Sequence, residues 1–271
     1  MEGLFLNTAL ALYLLSMVGY LTSLLVRRVT AAKISTWILG GAFAVHTLFI
    51  ALRWLETGHS PVVHLFEALS FIAWAVSGTY LAFQIKTSTR VLGAFVSPVV
   101  VVLVITASGR ITGTVTIPEI LRGPWVAAHV LSILTGGALF ALACLSGIMY
   151  LVQDNLIKNR KGYGFSRFLP SLRELDRINH ICIVAGFLLL TFGVIAGSVW
   201  AGTVWGRLWQ WDPKQVCTLI SWALYAVLLH QRLAIGWKGR KASFLSIIAF
   251  VILLFTFVGV NIFFVTVHNF V

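Results

Sequence analysis

Hydrophobic positions along this chain fall in long unbroken runs, not in alternating or one-faced patterns. A helix rises about 1.5 Å per residue, so about 20 apolar residues cross the roughly 30 Å hydrocarbon core of a bilayer. Runs of that kind occupy about 4–26, 34–55, 62–85, 91–107, 124–152, 178–199, 216–235 and 244–267. The fourth is short and is interrupted by Pro98, and the fifth is long enough to project from the bilayer or tilt. Transmembrane β-strands are about ten residues long and alternate with period two, which these runs do not. The pattern predicts an all-α fold, a polytopic transmembrane helical bundle of about eight spans. No soluble domain or internal repeat stands out, so residues 1–271 are expected to form one integral-membrane domain.

Composition agrees. Hydrophobic residues make up 59% and charged residues 10%, against roughly 45–50% and about 25% in soluble domains. Mean hydropathy is +0.95. Too little charge is present to cover a soluble surface, which excludes a cytosolic enzyme, a disordered chain and a secreted disulfide scaffold. The net charge of +12 would suggest nucleic acid in a soluble protein. Here 15 of the 20 cations fall around 27–33, 86–90, 158–177 and 232–241, and Arg53, Arg110, Arg122, Arg207 and Lys214 fall toward the other face. The positive-inside rule puts the richer set in the cytoplasm. With eight spans this gives an N-out/C-out topology, residues 200–215 outside, and no nucleic-acid partner. The opening MEGLFLNTAL lacks a basic n-region, so a cleaved signal peptide is not expected. Cys144, Cys182 and Cys217 form no C-x-x-C pair, which leaves no thiol-redox, zinc or covalent haem-attachment motif. Gly193 and Gly197 form a G-x-x-x-G suited to close helix packing.

The densest information lies at 199–215, VWAGTVWGRLWQWDPKQ. Four of the ten tryptophans, Trp200, Trp205, Trp209 and Trp211, fall within twelve residues. An interfacial belt accounts for one or two tryptophans at the end of a span. If the stretch is partly helical, Trp205 and Trp209 share a face. Gly202 and Gly206 permit close backbone approach, Asp212-Pro213 ends any helix, and Arg207 and Lys214 add positive charge. This is chemistry for a large, flat, apolar ligand with anionic edges. Haem fits, with aromatic faces for the macrocycle and cations for its propionates. An elaborate interfacial anchor is the other reading.

Haem needs axial ligands, and histidine is the usual one. His129 falls about five residues into the fifth span and His268 just beyond the eighth, both at the level of the tryptophan segment. His230 is about fourteen residues into the seventh span, toward the inner half, where ionisable groups are functional candidates. His46 is mid-span, His59 and His64 flank the outer 56–61 loop, and His180 is near the cytoplasmic face. Glu67 is a costly buried acid that Arg53 or a nearby histidine can satisfy.

At these residues a resemblance emerges. VWAGTVWGRLWQWDPKQ followed by LISWALYAVLLHQR resembles the tryptophan-rich WWD motif of the CcsA (ResC) family of cytochrome c assembly proteins. HTLFIALRWLETGHSPVVHLFEALSFIAW at 46–74, WVAAHV at 125–130 and GVNIFFVTVH at 259–268 also look like that family. The resemblance implies a haem-handling subunit of a cytochrome c haem lyase (synthase) in the bacterial cytoplasmic membrane. It implies haem b as the bound substrate, carried outward for attachment to the C-x-x-C-H cysteines of an apocytochrome c. It further implies that His129 and His268 ligate the iron at an external WWD surface formed by Trp200, Trp205, Trp209, Trp211 and Asp212, with Arg207 and Lys214 beside it. His230 matches a transmembrane histidine that ligates haem lower down, its second ligand coming from a CcsB/ResB-type partner. The family usually has Asn-Glu-Ala where this chain has Gly202, Thr203 and Val204, and Glu where it has Gln215. These departures leave open a HemX-like haem-binding protein that regulates haem synthesis without ligation.

Overall fold

The computed structural model describes residues 2–62, 64–87, 89–109, 123–159 and 168–264. These form α1 (Glu2–Val26), α2 (Val29–Thr57), α3 (Leu65–Lys86), a 3-10 turn at Arg90–Leu92, α4 (Gly93–Ser108), α5 (Pro124–Lys158), α6 (Leu172–Trp205), α7 (Pro213–Leu233) and α8 (Arg240–Leu254). A π-helical turn, Phe255–Gly259, continues α8 into the short α9 (Val260–Phe263). Eight helical segments are long and apolar enough to cross a membrane, so the all-α, eight-span expectation is met. The helix of the fourth span runs through Pro98 without breaking. Lost backbone hydrogen bonds are tolerated in membrane helices where neighbours and local adjustments re-satisfy them. The sixth span is longer than its apolar run, because α6 is 34 residues long and carries Trp200 and Trp205 in its last two turns.

Helices α1–α4 pack on one another, and α5–α8 form a second group in which α5 lies along α6 and α8; α3 joins the halves through α5. Successive spans alternate in direction. The connections 58–64 and 206–212 therefore share one end, the tryptophan end, and 27–28 and 234–239 lie at the opposite, basic end.

Polar side chains inside each half are paired. Between α1, α2 and α3, the Tyr13 hydroxyl lies 3.2 Å from His46 Nδ1 and 3.1 Å from Ser77 Oγ, while His46 Nε2 lies 2.9 Å from Ser70 Oγ. Arg53 donates from Nε and Nη2 to Glu67 Oε1, each at 3.1 Å, with both side chains buried. Arg53 is thus the partner that Glu67 requires. At the basic end, Arg232 donates to His180 Nδ1 at 3.2 Å, Asn179 Oδ1 at 3.1 Å and Asp176 Oδ1 at 2.9 Å. That cluster ties α7 to α6. In the sequence Asp176, Asn179 and His180 share one face of the polar first turns of α6, beside Arg173, Glu174 and Arg177.

Candidate haem-binding site at the tryptophan end

The tryptophan loop is shorter and more ordered than its sequence suggests. Helix α6 ends at Trp205, where Gly206 takes a left-handed conformation (φ 68°) and its N–H bonds to the Gly202 carbonyl at 3.1 Å. Glycine is favoured there because a Cβ strains that backbone region. Asp212 and Pro213 do not end this helix; they begin the next. Extended backbone is favoured before proline, and proline suits the first helical position. Asp212 is therefore the N-cap of α7, its carboxylate accepting the Lys214 N–H at 3.1 Å, with Pro213 following. The loop proper is 206–212. Its waist is closed by Gln215, whose Oε1 accepts the Gln210 backbone N–H at 2.9 Å. An amide oxygen thus supplies, at the position where a glutamate was expected, the acceptor the loop needs.

Two aromatic pairs result. Trp200 and Trp205 meet edge-to-face with centroids 5.2 Å apart, and Trp209 and Trp211 do so at 5.9 Å. Trp205 and Trp209 do not share a helical face, because the chain leaves the helix between them. Trp211 is 78% exposed and sits at φ 56°. A bulky residue in the left-handed region is uncommon and costs about 1–3 kcal/mol. The turn therefore holds a large apolar face outward at a cost in strain. Trp209 is half-buried, and its Nε1–H is buried with no acceptor among the described residues. Arg207 is exposed and Lys214 half-buried at the start of α7. An exposed indole face, an unanswered buried donor and two cations suit a flat apolar ligand that carries acceptor groups on its edge.

His129 stands in the second turn of α5, packed on α6 one turn below Trp200. Its Nδ1 donates to the Gly193 carbonyl at 2.7 Å. A neutral imidazole that donates through Nδ1 carries its lone pair on Nε2, the tautomer of an iron ligand. His180 has the opposite arrangement, since its Nδ1 accepts from Arg232. His46 engages both ring nitrogens inside the bundle and is fully buried.

Of the remaining candidates, one falls outside the described residues and one is not at this end. His268 lies outside the described residues. His230 is in the last turn of α7, exposed on the outer face of the bundle. That is about 26 Å along the helix from Pro213. Counting along the apolar run to 235 places it deeper than the structure does, because the helix ends at Leu233. Gly193, Gly197 and Gln215 are visible in the sequence, but their contacts with His129 and Gln210 are not. The glycine spacing itself was visible, but not the histidine that docks on it.

The fold defines a polytopic helical membrane protein with paired tryptophans, one of them largely exposed, at one end. The sequence model of the family described as Cytochrome C assembly protein matches residues 62–268. The chain belongs to that family. It is 30% identical over 246 residues to a "Cytochrome c biogenesis protein CcsA" of Parasynechococcus marenigrum (strain WH8102), covering 82% of this chain and 81% of the relative. It is 29% identical over 282 residues to the protein of that name in Prochlorococcus marinus (strain MIT 9303), 89% of each chain, and 28% over 254 residues to the one in Chlorella vulgaris. Among solved structures it resembles "Cytochrome c Heme Lyase CcmF", with a TM-score of 0.68 and 16% identity, over 95% of this chain and 46% of that one. At that identity the likeness concerns the fold, and this chain spans about half that protein's length. The chain is a CcsA-like integral-membrane protein of cytochrome c biogenesis.

Proposed function

We propose that this protein holds haem at its tryptophan end, outside the cytoplasmic membrane, for transfer to an apocytochrome c. In this reading residues 1–271 act as one domain. Trp200, Trp205, Trp209 and Trp211 surround haem b, the bound substrate. Asp212 fixes the loop, and Arg207 and Lys214 face the propionates. His129 and His268 supply the axial nitrogens. The protein then works within a haem lyase complex with a CcsB/ResB-type membrane partner. Each cysteine S–H of a C-x-x-C-H motif adds across a haem vinyl group, and the chain contributes positioning more than acid–base chemistry. The basic end faces the cytoplasm, leaving both termini outside. His230 takes haem at the inner leaflet, and its exposure on the outer face of α7 lets a second chain provide the opposite ligand.

The observation that carries this reading is Trp211, held outward by a strained backbone in a family that assembles cytochrome c. The departures at Gly202, Thr203 and Val204 favour a second reading, a HemX-like regulator without ligation. Thr203 turns its hydroxyl back to the Trp200 carbonyl at 2.7 Å, so this turn offers the surface little polarity. Co-expression with the partner and a C-x-x-C-H reporter separates the two. Covalent haem on the reporter is expected, and should fall with His230→Ala. Haem bound to the protein with none on the reporter would favour the regulator, and no haem at all would overturn both.

A further inference from the structure

The glycine pair of α6 is not symmetric. A Cβ on Gly193 would come 2.8 Å from the Cγ1 and Cδ1 of Ile133, an apolar side chain of α5 that would have to shift. A Cβ on Gly197 would come 2.5 Å from His129 Nδ1 and 2.6 Å from its Cε1. The imidazole lies where the side chain of residue 197 would be.

Helix geometry explains why that position matters. Side chains lean toward the N-terminus, so residue i+4 covers the carbonyl of residue i. That carbonyl already accepts the N–H of residue i+4, but it has a second lone pair. With glycine at 197, the second lone pair of the Gly193 carbonyl is open from the side. His129 reaches it with Nδ1–H at 2.7 Å. One missing side chain thus supplies both the space for the ring and the acceptor that fixes its tautomer.

We infer that Gly197, with the Gly193 carbonyl, is the positioning element for an iron-ligating His129. This rests on the reading that His129 is an axial ligand. A hydrogen bond from the far ring nitrogen to a carbonyl orients a ligating histidine and makes it a stronger donor, and donor strength and hydrogen bonding tune haem potential. Gly197 does this from behind the ligand, on the side of the ring that packs on α6.

The test uses full-length protein purified with its haem, comparing wild type with Gly197→Ala, His129→Gly and Gly186→Ala. Gly186 lies in the same α5–α6 interface, where a Cβ would press on Phe140 at 2.8 Å, away from His129. Gly197→Ala is expected to lose low-spin haem and raise the midpoint potential, and added imidazole, which needs no seat, should restore the low-spin form. Gly186→Ala should keep the wild-type spectrum and potential. If His129→Gly alters the spectrum while Gly197→Ala matches wild type, the inference is overturned and the ligand assignment stands. If Gly186→Ala shifts the haem as much as Gly197→Ala, packing alone is responsible and the inference is again overturned. If His129→Gly matches wild type, the underlying reading is wrong. Should Gly197→Ala fail to accumulate, His268→Gly leaves His129 as the one protein ligand, and its iron–imidazole stretching band decides. A frequency typical of a hydrogen-bonded imidazole supports the seat, and that of a non-bonded one overturns it.

Discussion

The two halves of this bundle use the same kinds of side chain to opposite ends. In α1–α4, Tyr13, His46, Ser70 and Ser77 contact one another, and Arg53 closes on Glu67. Each of these polar groups is buried, and His46 has both ring nitrogens engaged. At the tryptophan end of α5–α7 the pattern reverses. Trp211 is turned outward, Trp209 Nε1–H has no acceptor among the described residues, and His129 donates through Nδ1 to the Gly193 carbonyl. A membrane histidine is therefore not informative by depth alone. What its other nitrogen bonds to distinguishes a packed histidine from a candidate ligand.

If that contrast holds, changes in the first half should alter stability without altering haem, and changes at the tryptophan end should do the reverse. The largest effect is expected for Arg53→Met. It leaves the Glu67 carboxylate buried without its guanidinium, at a cost of about 3–5 kcal/mol, visible as a lowered thermal midpoint in detergent. The haem spectrum of the folded fraction should match wild type, and an altered spectrum would mean the halves are not separate. Trp211→Ala should keep the thermal midpoint and the spin state but reduce haem occupancy. Lost aromatic stacking is worth about 1–3 kcal/mol by analogy with base–aromatic contacts, or about ten- to a hundredfold in affinity. Titration of apoprotein with haem reads this directly, and unchanged affinity would return the loop to an interfacial anchor. The smallest effect belongs to His46→Phe. Side-chain hydrogen bonds within membranes average about 0.6 kcal/mol, so losing two lowers stability by about 1 kcal/mol. A spectral change in that variant would place His46 on the route of haem.

Much of the architecture was legible because lipid imposes a simple demand. Backbone polar groups must be satisfied internally, so continuous apolar runs become helices and their number can be counted. The Arg53–Glu67 pair was legible for a related reason, since a buried acid requires a cation. The loop was legible in composition but not in shape. Four tryptophans announced a surface, yet its form depends on Gly206 ending α6 and on Trp211 entering the left-handed region, neither of which leaves a periodic trace. His230 shows the limit of counting along a run, because its face is set by how α7 packs on α6 and α8. The seat of His129 was the least visible, because the histidine and the carbonyl that holds it are 64 residues apart. The local motif said only that two helices come close there.

The arginine cluster at the basic end bears on how the tryptophan loop crosses the membrane at all. Helix α7 is the least apolar of the eight spans, and it carries Arg232 in its last turn. A lone arginine costs up to about 2.5–3.5 kcal/mol at the centre of an inserting helix, and less near an end, where its stem can reach the interface. Asp176, Asn179 and His180, which receive that guanidinium, all lie on α6. Helix α6 precedes α7 in the chain, so the partners of Arg232 are synthesised before it. Entry of the two helices as a hairpin, with residues 206–212 at the tip, would satisfy Arg232 throughout insertion. Seating Arg232 at one end of the pair and placing Trp209 and Trp211 at the other would then be a single event in biosynthesis.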